Sequence, residues 1–375
     1  MCIRDSTIPV LFGKPGFQLD SEGNANLDLD VFGSAFFMLS RYEEAVLTDR
    51  DIHDRFPAAA SIAYKAGFLE RPIIDEYGEI LWSAIHRVWP GTRRRRRQSR
   101  TLVSHDVDKP SLHSFHSLRR MLRISASDLL KRHDLRRAIH GPWIWANSRR
   151  KLHPDDPYNT FEWIMDISER YGLTSAFYFI CGRTHPTLDA LYEIEHPAIR
   201  ALMRQIRERG HELGLHASYN SYQNPDVVAA EAARMKQVCE EEGIEQSSWG
   251  GRMHYLRWET PTTLYGWERA NMTYDSTLGY ADRAGFRCGT CQEYPAFDPV
   301  RRVALNLLVR PLIAMESTIM AEKYMGMGDS SAAFNEFVKL KSACRIVGGN
   351  FTLLWHNSSF GGPRAKSLYE SVISE

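Results

Sequence analysis

Residues 101–110 read TLVSHDVDKP, and the reading of this stretch decides the fold. Thr101, Leu102 and Val103 are apolar or β-branched, which predicts a buried strand. Lys109-Pro110 stops it. Alternate residues of an extended chain point the same way, so Asp106 and Asp108 share one side at the strand's carboxyl end. In α/β architectures that end is where chemistry collects. Two carboxylates there could hold a metal, move a proton, or do one job each. The structural alternative is a strand end capped by solvated aspartates.

Outward from this strand, helical and strand-like stretches alternate. Basic helical segments run from about Leu118 to Arg150, interrupted near Gly141-Pro142. TFEWIMDISERYG then leads into the apolar SAFYFICG, and HPAIRALMRQIRERG into ELGLHAS. DVVAAEAARMKQVCEEEG precedes SSWGGR, PTTLYGWERA precedes MTYDSTLG, and SAAFNEFVKLKSACRIVG precedes FTLLWHN. Such alternation implies parallel strands with helical crossovers. Asp106, Asp108, His216, Arg252, Asp275 and His356 each follow a strand-like run. That placement predicts a barrel-like α/β fold with its site on the carboxyl-end loops.

Upstream the character changes. Asp28 and Asp30 can start a helix through VFGSAFFMLSRYEE, with Phe32, Phe36, Leu39 and Tyr42 on one face. Further helical stretches cover about 58–68 and ILWSAIHRVW. This front region has no catalytic cluster and ends at Pro90-Gly91 and the run Arg93 to Arg97, read as a linker rather than a phosphate grip. The expected division is a smaller, mainly helical domain over 1–98 and a catalytic domain over 99–375. MCIRDS joins oddly to TIPVLFG, so the front domain is expected to lack its true start.

At 375 residues the chain has room for both domains. A hydrophobic share of 43% and a charged share of 25% describe an ordinary globular composition. A formal net charge of +1 argues against nucleic acid or an anionic membrane as the main partner. No apolar run reaches a membrane span; VALNLLVRPLIAM is cut by Arg310 and Pro311. The six cysteines show no disulfide framework, and MCIRDSTIPV shows no leader. A cytoplasmic location is therefore expected.

GHELGLHASYNS, residues 210–221, is the second informative stretch. His211 precedes the ELGL strand and His216 follows it, at the end where Asp106 and Asp108 lie. Asn220 comes four residues later and shares a face with His216 in a helical turn. Imidazole nitrogen with carboxylate oxygen is a normal zinc ligand set, catalytic sites using three protein ligands and an open position.

Together these stretches resemble the polysaccharide deacetylases, carbohydrate esterase family 4, from about Leu102 to Asn357. The resemblance implies a distorted (β/α) barrel and a divalent metal, with zinc (Zn2+) expected. It implies Asp106 as general base and Asp108 as metal ligand. SAFYFICG is similar to the family's second strand, and His216 matches the first histidine of its H-x-x-x-H pair. Asn220 stands where the second would be, a harder and poorer donor, so the ligand set is completed by Asn220, by His211 or by water. Arg252-Met253-His254-Tyr255 approximates an Arg-x-Pro-Tyr-like loop, with His254 in the proline's place. Arg252 would orient Asp106 and hold it ionised, and the Tyr255 backbone N–H would face the oxyanion. Leu354-Trp355-His356 matches the Leu-x-His motif, implying His356 as general acid. The implied partner is a polysaccharide or oligosaccharide carrying N-acetylhexosamine, and the implied product is acetate. The helical front further resembles that of a two-domain bacterial branch.

Two other readings stand beside this one. A glycosidase would pair Asp106 with another carboxylate, and a catalytically weak or inactive glycan-binding protein would keep only the fold. Asp275 either lines the site or caps a turn. Cys288-Gly-Thr-Cys291 is a single C-x-x-C, without the second pair a zinc ribbon needs.

Overall fold

The structure is a computed structural model, and it describes residues 8–95, 97–130, 133 and 135–375. MCIRDS and Arg96 of the arginine run lie outside the described residues. Two compact units form, neither continuous in sequence. One comprises Met1–Leu102, Leu256–Tyr265 and Asp275–Leu353; the other comprises Val103–Tyr255, Gly266–Tyr274 and Leu354–Glu375.

The unit that begins at Val103 is α/β, as the alternation predicts. Its strands are β1 (Arg100–Val107, of which this unit holds the part from Val103), β2 (Ser175–Ile180), β3 (Glu212–Ala217) and β4 (Gly250–Met253). They pair in that order, all parallel. Parallel neighbours need long crossovers, and helices supply them. α1 (Leu118–Leu130), α2 (Leu135–Asn147) and α3 (Phe161–Arg170) lie between β1 and β2. α4 (Pro197–Glu208) joins β2 to β3, and α5 (Pro225–Glu241) joins β3 to β4. In α4 the His196 side chain caps the first turn and Pro197 occupies the first helical position, where its missing N–H costs nothing. Ala198, Ile199, Leu202, Met203 and Ile206 form its buried stripe. Each large apolar side chain so buried contributes about 1.5–3 kcal/mol.

Register decides which side chains meet. Asp106 pairs with Tyr178, Tyr178 with Gly214, and Gly214 with Gly250. The next row on the same face contains Ile180, His216 and Arg252. The two glycines in the first row leave room for rings. A Cβ on Gly214 would stand 2.5 Å from the Tyr178 ring, and one on Gly250 1.9 Å from the Tyr274 ring. Those rings meet through their hydroxyls at 3.0 Å, forming the floor beneath the second row. Just after the strand Asn350–Leu354, the Trp355 N–H donates to the Ser104 carbonyl at 3.0 Å. His356 is thereby brought to the β1 strand end.

The other unit mixes helices with antiparallel pairs. Gly13–Leu19 and Ala25–Leu29 form an antiparallel hairpin. Tyr294–Asp298 pairs antiparallel with Val303–Val309. Asp30 caps the helix Val31–Leu39, as expected. The helix is shorter than the pattern suggests, because Arg41 adopts a left-handed conformation (φ 54°) before Tyr42–Val46 resumes. It also turns the other way: Phe32 and Phe36 are exposed, and Val31, Ser34 and Met38 face inward. Met38 packs with Phe56, Phe68, Ile73, Tyr77 and Tyr280 into a core of its own. Among the described residues no helix is long and apolar enough to cross a membrane.

Candidate metal centre

The first side chain that β1 delivers is Asp106, which is 2% exposed. A carboxylate so buried requires a compensating charge, and the register places Arg252 near it. Arg252 Nη1 donates to Asp106 Oδ1 at 2.7 Å and Nη2 to Ser104 Oγ at 2.9 Å. Its guanidinium lies over the Tyr178 ring, 5.1 Å from the centroid. Burial pushes the Asp106 carboxyl up, but the charges of Arg252, His216 and His356 outweigh it and leave the carboxyl below its ordinary value. The group is an ionised carboxylate held in one orientation.

Asp108, two residues on, meets a different environment. His216 Nε2 stands 3.2 Å and His254 Nε2 3.7 Å from Asp108 Oδ1. One donor atom from each of the three residues lies within 4.8 Å of the others. The far side of each imidazole is committed. His216 Nδ1 lies 2.8 Å from the Arg252 carbonyl oxygen, and His254 Nδ1 lies 2.9 Å from Asp189 Oδ1. A carbonyl or carboxylate oxygen can only accept, so both Nδ1 atoms donate. In the neutral rings each Nε2 then keeps a lone pair directed towards Asp108. Asp108 Oδ1 itself is buried and has no hydrogen-bond donor among the described residues.

Three features of this group therefore fit a divalent cation: an orphaned carboxylate oxygen, two imidazole lone pairs and the charge. With neutral imidazoles, Asp106, Asp108 and Asp189 against Arg252 leave two uncompensated negative charges. Without a cation a proton fills the gap. Burial pushes the His254 imidazolium down, yet Asp108 and Asp189 outweigh it and lift its pKa to about 9. Burial likewise pushes Asp108 up, while His254 and His216 hold it well below the carboxylate range.

Asp189 organises the loops around this group. Its Oδ2 accepts from the backbone N–H groups of Thr184 and His185, at 2.8 and 2.7 Å. Its Oδ1 accepts from Tyr219 N–H at 2.8 Å as well as from His254. One carboxylate thus ties together the loops after β2, β3 and β4. Such outer partners fix the tautomer and aim of a ligating histidine.

Asp106, Asp108, His216, Arg252 and His356 converge, with His356 Nε2 3.8 Å from Asp108 Oδ2. Tyr255 follows His254 in a left-handed conformation (φ 62°), its ring edge-on to those of His254 and Tyr219. Asn220 lies exposed, and its side-chain N–H donates to the Thr184 carbonyl at 3.0 Å. Among the His, Cys, Asp and Glu side chains described, the third donor atom beside Asp108 and His216 is His254 Nε2. His211 sits at the opposite end of β3, five extended residues or about 16 Å of chain from His216. There its Nδ1 accepts from Ser175 N–H and its Nε2 faces Glu169.

In the sequence His254 stands in the slot of a loop proline. One signal for His254 was present: an imidazole two residues beyond the strand position that pairs with His216. Nothing in RTHPTLDALY marks Asp189. Asp275 belongs to the other unit, where it accepts from Trp258 Nε1 at 3.2 Å and from Thr277 N–H at 2.9 Å. Cys288 and Cys291 are buried there too. Burial pushes the Cys288 thiol up, and contact with Cys344 together with burial pushes up that of Cys291.

Residues 2–90 match the model of a family of unknown function (DUF7033). No curated protein matches the chain. Among solved structures, it is similar to a Mycobacterium smegmatis protein provisionally named a polysaccharide deacetylase, at 14% identity and TM-score 0.45, over 76% of this chain and 85% of that one. A Pseudomonas aeruginosa PAO1 protein provisionally given the same name is similar at 14% identity and TM-score 0.41, over 76% and 89%. The Puue allantoinase is similar at 12% identity and TM-score 0.42, over 76% and 88%. At such identities and scores, the site must be read from its own geometry.

Proposed function

We propose that this chain is a metal-dependent N-deacetylase acting on a polysaccharide or glycan precursor that carries N-acetylhexosamine. The reading rests on the convergence of Asp108 Oδ1, His216 Nε2 and His254 Nε2 beside the buried Arg252–Asp106 pair. One carboxylate is left open for a cation while its neighbour is locked as an ionised base. The order of the deacetylase-like motifs along the chain supports the same reaction. Imidazole nitrogens with a carboxylate suit zinc. A divalent cation held by Asp108, His216 and His254 would supply Lewis-acid polarisation of the acyl oxygen.

The protein's own groups then divide the work. Asp106, kept ionised and oriented by Arg252, takes the proton of the attacking water. The Tyr255 backbone N–H is assigned to the oxyanion. His356 donates a proton to the departing sugar amine, which leaves poorly without one. Residues 1–98 are proposed as the accessory part of the first unit, which also takes in 256–265 and 275–353. The family match over 2–90 ends before the arginine run, which supports a boundary there.

Elemental analysis of the purified chain, paired with acetate release from N-acetylglucosamine oligomers, tests this. The expected result is a stoichiometric divalent metal and acetate release, both lost in Asp108→Ala. Metal without acetate release favours the glycan-binding alternative. Sugar release without metal favours the glycosidase.

A further inference from the structure

The helical pair α1 and α2 plays no part in the site, and its sequence is unlike the rest of the chain. Residues 118–151 contain ten Lys and Arg against two Asp. Their net charge is +8, which leaves −7 for the remainder of a chain whose total is +1. The near-neutral total conceals this asymmetry.

The apolar residues of the pair are as unusual as its charge. α1 and α2 pack against each other. In α1 the inward side is marked by Met121, 1% exposed, while Leu118, Leu122 and Leu129 are 56%, 60% and 46% exposed. At 100° per residue these leucines fall within about 40° of one another, a stripe along one flank. Arg119 and Arg123 are exposed beside it. α2 repeats the arrangement: Leu135, Ile139 and Trp143 are 60%, 63% and 48% exposed, within about 80° of arc. A water-facing helix flank normally carries polar residues. Here α1 presents leucines bordered by Arg119 and Arg123, and α2 presents leucine, isoleucine and tryptophan.

Charge and apolarity together select the occupant. A second copy docking through the same surface would set its exposed Arg119, Arg120 and Arg123 against their own counterparts. Nucleic acid would satisfy the arginines and leave the leucine stripes in water. A bilayer interface with anionic headgroups satisfies both, because apolar side chains enter the acyl boundary while arginines meet phosphates. α1 begins ten residues after Asp108, so this surface and the ligand group leave the same strand end. We infer that α1 and α2 form an in-plane docking surface for an anionic lipid membrane. The surface lies on the membrane rather than spanning it.

Vesicle co-sedimentation of the full chain tests this, using equimolar phosphatidylcholine and phosphatidylglycerol against phosphatidylcholine alone. The chain should bind the anionic vesicles and release them at high salt. Leu122→Asp with Ile139→Asp should weaken partitioning roughly tenfold or more, and Arg119→Gln with Arg123→Gln by a similar factor. Circular dichroism melting should stay at the wild-type temperature for both, since these side chains are exposed. Ile52→Asp, at an apolar position 94% exposed outside the pair, should bind as wild type. Three outcomes overturn the inference. They are failure of the wild type to bind anionic vesicles, equal binding by all variants, or a dimer in light scattering that Leu122→Asp with Ile139→Asp dissolves. The last would assign the stripes to a second copy.

Discussion

Each unit buries a cluster of charge, and the two clusters differ in what they leave over. In the first unit Glu44 is sandwiched between Arg41 and Arg287. Arg41 Nε and Arg287 Nε both donate to its Oε1 at 2.9 Å, and Arg287 Nη2 donates to Oε2 at 2.5 Å. Arg287 also donates to the Gly279 carbonyl and lies 5.0 Å from the Tyr280 ring centroid. Glu43 stands alongside, with its Oε2 3.7 Å from Arg41. Two cations face two acids, and the charge closes on itself. In the second unit three carboxylates face one arginine, and two imidazoles direct lone pairs into the gap. Burial and charge alone therefore do not mark a functional site, and nor does an oxygen without a donor, since Glu43 Oε2 is also one. The distinguishing feature is an uncompensated carboxylate together with histidines whose outer nitrogens are already committed.

This contrast is most strongly tested at Asp106. Asp106→Asn should retain metal by elemental analysis yet lower turnover by roughly 10²–10⁴-fold, the usual contribution of a general base. Loss of metal in that variant would move Asp106 into the ligand set and erase the division between the two aspartates.

The closed cluster should respond in stability instead. Glu44→Ala leaves Arg41 and Arg287 buried without their shared partner, which should cost about 3–5 kcal/mol in urea unfolding. Metal content per folded molecule should not change. A loss of metal at Glu44→Ala would break the separation between the two clusters.

The smallest effects should come from the ring around the ligands. Asp189→Asn weakens the acceptor that orients His254, and chelator competition should show metal affinity falling about 10–100-fold. Asn220→Ala should leave the chelator curve as in wild type, because its amide is engaged with the Thr184 carbonyl. If Asn220→Ala weakens metal as much as Asp189→Asn does, the ligand role returns to Asn220.

The sequence by itself determined the local and the periodic. The alternation of strand and helix, the pairing of Asp106 with Asp108 on one strand face, and the cap at Asp30 all depend on neighbours a few residues apart. The positions of His216 and His356 were also legible, because each closes an apolar run, and that of Arg252, because it closes the strand-like SSWGGR. What only the tertiary structure decided involves partners far apart in the chain. His254 stands with Asp108 and His216 because β3 and β4 pair with His216 opposite Arg252 and because Asp189, 65 residues earlier, holds its ring. The inward turn of the Val31–Leu39 helix is of the same kind. Phe32 and Phe36 are the more apolar side, but Ser34 and Met38 are the side on which a core was assembled from distant residues. Periodicity states that a helix has faces. Which face is buried, and which of several histidines completes a site, depends on long-range packing that no short window of sequence contains.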